Sequence, residues 1–313
     1  MTMASLFDLA LAAAVLALAW WTISTREAFA AVIDFVAYGL LLALVWVRLG
    51  AVDVALTEAA IGGGLTGGLL IGAAARLRAT EAAAAAERPG PAVRLIAAVG
   101  SALIAAGLVA AVLSLPDPAP TLAPNAAANL AATGVGNPVT AVLMAFRATD
   151  TVLEKVVLLL ALIGVWSLAA DRFWGGRPGP HHQADPNGAL AFLARLLSPL
   201  GIVIGAYVLW VSADEPGGAF QGGTILAAMW LLVMMAGLTD APPLRRRWLR
   251  LLLIAGSAIF LAVGAAGLWL AGAFLAYPVA WAKPLILLIE VPMMLTVAVT
   301  LGLLLAGPPR RLE

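Results

Sequence analysis

Cysteine is absent from the 313 residues, histidine occurs only twice, and only 11% of positions are charged. Without cysteine there are no disulfides, no thiolate zinc sites and no cysteine-held iron–sulfur cluster, so the chain carries no electron-transfer centre of those kinds. The shortage of charge excludes more. A soluble domain carries roughly 25% charged residues, and a 32.0 kDa chain this poor in them cannot cover a water-soluble body. A cytoplasmic enzyme and a disordered chain are both excluded. The net charge of +1 offers nothing to nucleic acid. What is abundant is apolar: 63% of residues are hydrophobic and the mean hydropathy is +1.02. The sequence describes an integral membrane protein in contact with a lipid bilayer.

A helix crossing the hydrocarbon core needs about 20 mostly apolar residues. That rule predicts nine spans, near 5–22, 29–48, 54–75, 94–114, 149–170, 194–212, 220–238, 249–272 and 284–306. The first has no basic residue before Arg26, and Trp20-Trp21 is a poor cleavage site, so it reads as a mature span rather than a signal peptide. The runs are continuously apolar and Ala/Leu-rich. A membrane barrel, which alternates over about ten residues, is therefore excluded.

Basic residues orient the bundle, because Lys and Arg concentrate in cytoplasmic loops. Alternating sides along nine spans places 14 of the 18 on one face, from Arg26 through the Arg245-Arg246-Arg247 run to Arg310 and Arg311. The other face receives Arg48, Arg147 and Lys283, and Lys155 falls inside a span. The expectation is an all-α bundle with its N-terminus outside and its C-terminus cytoplasmic. Linkers at 79–91 and 171–188 divide the spans three, two and four, which sets domains at 1–80, 92–172 and 190–313. Arg88 lies in the first linker, which reads as beginning with a short helical extension of span three. His181-His182 in the second reads as loop decoration, since two adjacent histidines lack a third metal ligand.

An ionisable group inside a bilayer costs roughly 2.5–3.5 kcal/mol, so those present are functional candidates. Asp34 lies in span two, Asp53 and Glu58 open span three, Glu154 and Lys155 sit in span five, and Glu290 is near the middle of span nine. Lys283 is about 10 Å outward from Glu290 on the same helix. Gly64, Gly68 and Gly72 recur every four residues, with Gly63 and Gly67 one position back, and read as a helix-packing stripe. Arg147, Asp150 and Glu154 fall at i, i+3 and i+7, one face of a continuous helix. Pro292 after Glu290 frees the carbonyl of Leu288, which makes either an oxygen waypoint for a cation or an ordinary kink. The loop from Ser212 to Gly223 lacks the Gly-Lys-Ser/Thr of a phosphate loop and reads as a tight turn with Asp214 and Glu215 at its mouth.

Three of these stretches resemble known membrane proteins. Asp53-Val-Ala-Leu-Thr-Glu58 with its glycine run resembles the D-type component of membrane-bound, gas-evolving hydrogenases and the matching C-terminal part of the large Mrp antiporter component. Asn137 to Glu154, with Phe146-Arg147 and Asp150-Thr151, resembles the adjoining E-type hydrogenase segment. Pro216-Gly217-Gly218-Ala219-Phe220-Gln221-Gly222-Gly223 resembles the signature loop of the MnhB/MrpB component of Mrp-type sodium/proton antiporters. Val52, Ala145, Ala213 and Ala219 depart from the family's usual proline, aspartate, histidine and glycine.

The resemblance implies a membrane subunit of a multisubunit sodium/proton antiporter, or of the antiporter module of a complex I-related redox pump, in a prokaryotic inner membrane. It implies partners as well: a large complex I-like proton-channel subunit, small Mrp-type subunits and, in the second setting, a redox arm. The implied cargo is sodium or a proton, with no cofactor, no resident metal and no catalytic residue. Asp53, Glu58, Glu154 and Glu290 would alternate between proton and sodium occupancy, with Asp34, Arg147, Asp150, Lys155 and Lys283 also along the ion path. The alternative is a structural bridging subunit that moves no ion. An intramembrane enzyme has no nucleophile–base pair to support it.

Overall fold

A computed structural model describes residues 3–84, 90–183 and 185–312. It is built almost entirely of helices, and nine of those described follow the nine apolar runs. They are α1 (Met3–Ser24), α2 (Ala28–Arg48), α3 (52–84), α4 (Pro91–Leu113), α5 (Ala148–Ser167), α6 (Ala189–Val211), α7 (Ala219–Met235), α8 (Arg247–Leu270) and α9 (Ala282–Ala306). Helix α3 does continue to Ala84, whereas Arg88 lies outside the described residues.

Seven of the nine are long and apolar enough to cross a membrane. The exceptions have plain causes. Helix α5 carries Asp150, Glu154 and Lys155, and α7 is only 17 residues long. One short antiparallel ladder, β1 (Arg177–Pro178) with β2 (Pro309–Arg311), departs from a purely helical chain.

The core is α9. Its residues Ile286, Ile289, Val297, Leu301 and Leu303 are fully buried, with α7 and α8 packed along it and α6 against α7. Close packing depends on missing Cβ atoms. A Cβ at Gly222 would meet the Gly205 carbonyl at 2.7 Å, and one at Gly223 would meet Val297 at 2.7 Å. Helix α8 is joined to α9 differently. The Thr296 hydroxyl accepts the Gly256 N–H at 3.0 Å and donates to the Leu252 carbonyl at 2.7 Å. Those two backbone groups are the i, i−4 pair of one rung of α8, so the Thr296 hydroxyl bonds both members of that rung. Thr296→Val is expected to cost only about 1 kcal/mol, because Gly256 and Leu252 can satisfy each other within α8 without the hydroxyl. Thermal unfolding in detergent measures this, and a loss several times larger would show that the ladder cannot close.

Helix α3 is not one regular helix. Val52–Glu58 is α, Ala59–Thr66 is π, and Gly67–Ala84 is α again. The wider π turn rotates the residues after it, which corrects the expected packing stripe. Gly64 and Gly68 are exposed, and a Cβ at Gly72 would meet nothing within 4 Å. The neighbouring column makes the contact instead. A Cβ at Gly67 would lie 2.5 Å from Val36, and one at Gly39 of α2 would lie 3.0 Å from the Gly63 nitrogen. Helices α1 and α2 are clasped at their far ends by Arg48 and Asp8, 2.7 Å apart.

The loops gather at two ends. At one, Leu244 N–H bonds the Gly176 carbonyl at 3.0 Å, and Arg311 and His181 share the carboxylate of Asp240, each at 3.1 Å. The Arg311 guanidinium, helped by His181, holds Asp240 below the usual carboxylate range. The expected decoration thus has a partner: His181 helps fasten the C-terminal strand to the loop before α6. At the opposite end lie residues 133–137, 212–218 and 271–283.

Candidate functional site

The turn between α6 and α7 is held by acids from two distant helices. Asp53 at the start of α3 is buried, and its Oδ1 accepts the Gly217 N–H at 2.9 Å. Glu290 in the middle of α9 is also buried, and its Oε2 accepts the Ser212 hydroxyl at 2.6 Å. The backbone N–H of Ala219, the first residue of α7, also bonds the Glu290 carboxylate. Glu290 therefore caps a helix N-terminus, where a negative charge is stabilised. Its partners come from the turn and not from its own proline-kinked helix.

The turn needs glycine at this point. Gly217 and Gly218 have φ of 158° and 157°, and a Cβ at Gly217 would lie 2.2 Å from the Val208 carbonyl oxygen. Pro216 is exposed at the tip, beside Asp214 and Glu215. A further clamp comes from the segment before α5. The N–H groups of Gly136 and Asn137 both donate to the Ala213 carbonyl at 2.9 Å, Asn137 Nδ2 donates to the Glu215 carbonyl at 2.9 Å, and the Thr140 hydroxyl donates to the Ser212 carbonyl at 2.6 Å. All three parts of the chain meet at this turn.

Lys155 on α5 completes the cluster. Its side chain is only 2% exposed, its Nζ donates to Glu154 Oε1 at 2.8 Å and lies 5.1 Å from the centre of the Phe220 ring. Glu290 is near enough to act on it electrostatically. A cation this deep needs a compensating charge, and here Glu154 supplies it in contact and Glu290 at longer range. Glu154 itself is 42% exposed, so the pair reaches from the interior to the α5 surface.

The remaining candidates are placed apart. Glu58 is half-buried, and no hydrogen bond or ion pair reaches it among the described residues. Its carboxylate folds back over Gly62, where a Cβ would stand 2.1 Å from Oε1. Asp34 accepts the Thr25 hydroxyl at 3.0 Å in the turn between α1 and α2, away from the cluster. Arg147 pairs with Asp150 at 2.6 Å, yet the two do not share a continuous helix. A π turn, Val142–Phe146, ends at Arg147, whose φ of −132° and ψ of 38° break the helix before α5 begins. Only Asp150 and Glu154 share the α5 face. Lys283 binds Asp214 at the mouth of the turn.

Sequence reading missed Ser212, Asn137's role in binding the turn, and Tyr277. The buried Tyr277 hydroxyl has no partner among the described residues. Beside it an open cavity of about 1110 Å³ is lined by residues 121–123, Asn125, Ala126, Thr133, Phe146, Arg147 and Phe274–Tyr277.

Comparison with known proteins agrees with this architecture. The family model MbhD, which describes the D-type component of MBH, matches residues 8–79, and one described as a domain related to the MnhB subunit of Na+/H+ antiporter matches residues 189–307. An uncharacterized protein of Methanocaldococcus jannaschii is 27% identical over 156 residues, which is 45% of this chain and 60% of that protein's length. Among solved structures, a chain of the Mrp complex from Dietzia sp. superposes with a TM-score of 0.75 at 24% identity, covering 96% of this chain and 35% of that one. A chain of the membrane-bound sulfane sulfur reductase, an archaeal respiratory membrane complex, superposes with a TM-score of 0.55 at 22% identity, covering 67% and 95%. At these identities the two structures share its fold. The chain thus joins an MbhD-type segment at its start to an MnhB-related segment at its end.

Proposed function

We propose that this chain is a transport subunit of a multisubunit sodium/proton antiporter and that it helps form the ion path. The carrying observation is the pair of buried charges Glu290 and Lys155, with the half-exposed Glu154 bonded to Lys155, at the junction of all three segments. Carboxylates at different depths can exchange a proton for a sodium ion, since both are held by oxygen. Glu58, unpartnered among the described residues, and Glu154, half-exposed though paired with Lys155, are the groups placed to do so. Asp53 has a different part: its carboxylate positions the turn. A large complex I-like subunit would supply the main proton channel, with small Mrp-type subunits beside it in a prokaryotic inner membrane. The arginine-rich end would face the cytoplasm, and the Asp214–Lys283 end the outside. Attachment to a redox arm is the second setting for the same path.

The competing reading is a bridge that moves no ion, and the pairing of Lys155 with Glu154 favours it. Glu154→Gln and Glu58→Gln in the reconstituted complex separate the two. An ion path predicts at least a tenfold loss of sodium-driven proton exchange in vesicles for one or both, with the complex intact. Unaltered exchange in both variants would leave the bridge as the better account.

A further inference from the structure

The open cavity of about 1110 Å³ runs along the loop between α8 and α9 and has Tyr277 in its wall. That loop is held tightly. Leu275 has a φ of 62°, a left-handed conformation that costs a bulky residue energy. It is kept there by a notch in α8: a Cβ at Gly264 would meet the Leu275 side chain at 2.5 Å, and one at Gly267 would meet the Ala276 carbonyl at 2.5 Å. The Leu275 N–H bonds the Gly264 carbonyl at 3.0 Å. The product of this constraint is a fixed place for Tyr277. Its ring packs against the cluster containing Ile286, Ile289 and Met293, the residues around Glu290 on α9.

Packing does not explain the hydroxyl. A phenylalanine would fill the same space without burying a polar group, and the Tyr277 hydroxyl is buried with no partner among the described residues. An orphan of this kind calls for an unseen partner. Glu290 is the charged group that acts on it electrostatically. Burial pushes the phenol up to about 12, so it stays protonated at physiological pH. It can donate to a carboxylate and accept from water.

Resting on the ion-path reading above, we propose that Tyr277 is the relay residue between the cavity and Glu290. In one step the hydroxyl passes its proton over a bridging water to the Glu290 carboxylate and takes a proton, over a second water, from hydrated H+ in the cavity. The phenol ends unchanged, Glu290 becomes neutral, and the cavity has lost one proton. The reverse sequence releases it.

The test compares Tyr277→Phe with Glu290→Gln in the reconstituted complex. Tyr277→Phe keeps the ring, so assembly and the thermal midpoint should match the native protein while proton flux falls at least tenfold. A merely structural ring would not separate those two readouts. Flux within twofold of native in Tyr277→Phe, with Glu290→Gln inactive, overturns the relay and leaves the ion path standing. Native flux in Glu290→Gln overturns both. A second arm uses the absence of cysteine from this chain. Ala276→Cys, labelled with a small membrane-impermeant thiol reagent, should lose flux on labelling, and full labelling without loss would also overturn the relay.

Discussion

Glu290→Gln is expected to lower sodium-driven proton exchange by the assembled complex about a hundredfold or more. Glutamine keeps the shape and still accepts the Ser212 hydroxyl, but it cannot be ionised. Two things are lost with the charge. The N-terminus of α7 loses the negative group that faces its first N–H. Lys155, 2% exposed and ion-paired with Glu154, loses the second carboxylate that acts on it electrostatically. A hundredfold corresponds to about 2.7 kcal/mol placed on the transport barrier. Proton exchange in vesicles measures the effect, with Glu290→Asp as the control that keeps a charge. An unchanged rate in Glu290→Gln, with the complex intact, would remove this residue from the ion path.

The reason Glu290 could be singled out from sequence is energetic: a carboxylate in the middle of an apolar run has no cheap explanation. The same logic found Lys155 and Asp53, and length with hydropathy placed nine helices to within about five residues at each end, except that α3 runs on from the expected end at 75 to Ala84. What sequence could not supply was the partner of each charge. Asp53 meets Gly217 across 164 positions, and Ser212 meets Glu290 across 78. Such pairings depend on how helices cross, and periodicity carries no information about that. Two errors share one cause. Both the Gly64–Gly68–Gly72 stripe and the Arg147–Asp150–Glu154 face assumed 3.6 residues per turn, and a π segment disturbs each: Ala59–Thr66 contains Gly64, and Val142–Phe146 ends just before Arg147 and leaves it as a cap outside α5. Ser212 and Tyr277 were invisible for another reason. A serine at a helix end and a tyrosine in a loop are ordinary until the groups around them are known.

The pairing of Gly217 with Asp53 carries the second large expected effect. Gly217→Ala should destabilise the fold by about 3 kcal/mol or more, because its Cβ would collide with a backbone oxygen, that of Val208, at 2.2 Å. Gly218→Ala has a nearly identical φ, but its Cβ would meet the end of the Gln221 side chain at 2.7 Å, which can swing away. Its effect should be clearly smaller. Asp53→Asn should be milder still, since the amide oxygen can accept the same N–H. Thermal midpoints in detergent rank the three, and a Gly217→Ala protein as stable as Gly218→Ala would show that the close approach to Val208 is not what requires glycine. The functional consequence comes through Ala219 and Phe220. Gly217 sets the path of the turn into Ala219, whose N–H meets Glu290, and Phe220, whose ring lies under Lys155. A displacement of even about 1 Å there lengthens the contacts of both charges at once. Gly217→Ala should therefore lose transport even at temperatures where it remains folded, whereas Asp53→Asn should retain most of it.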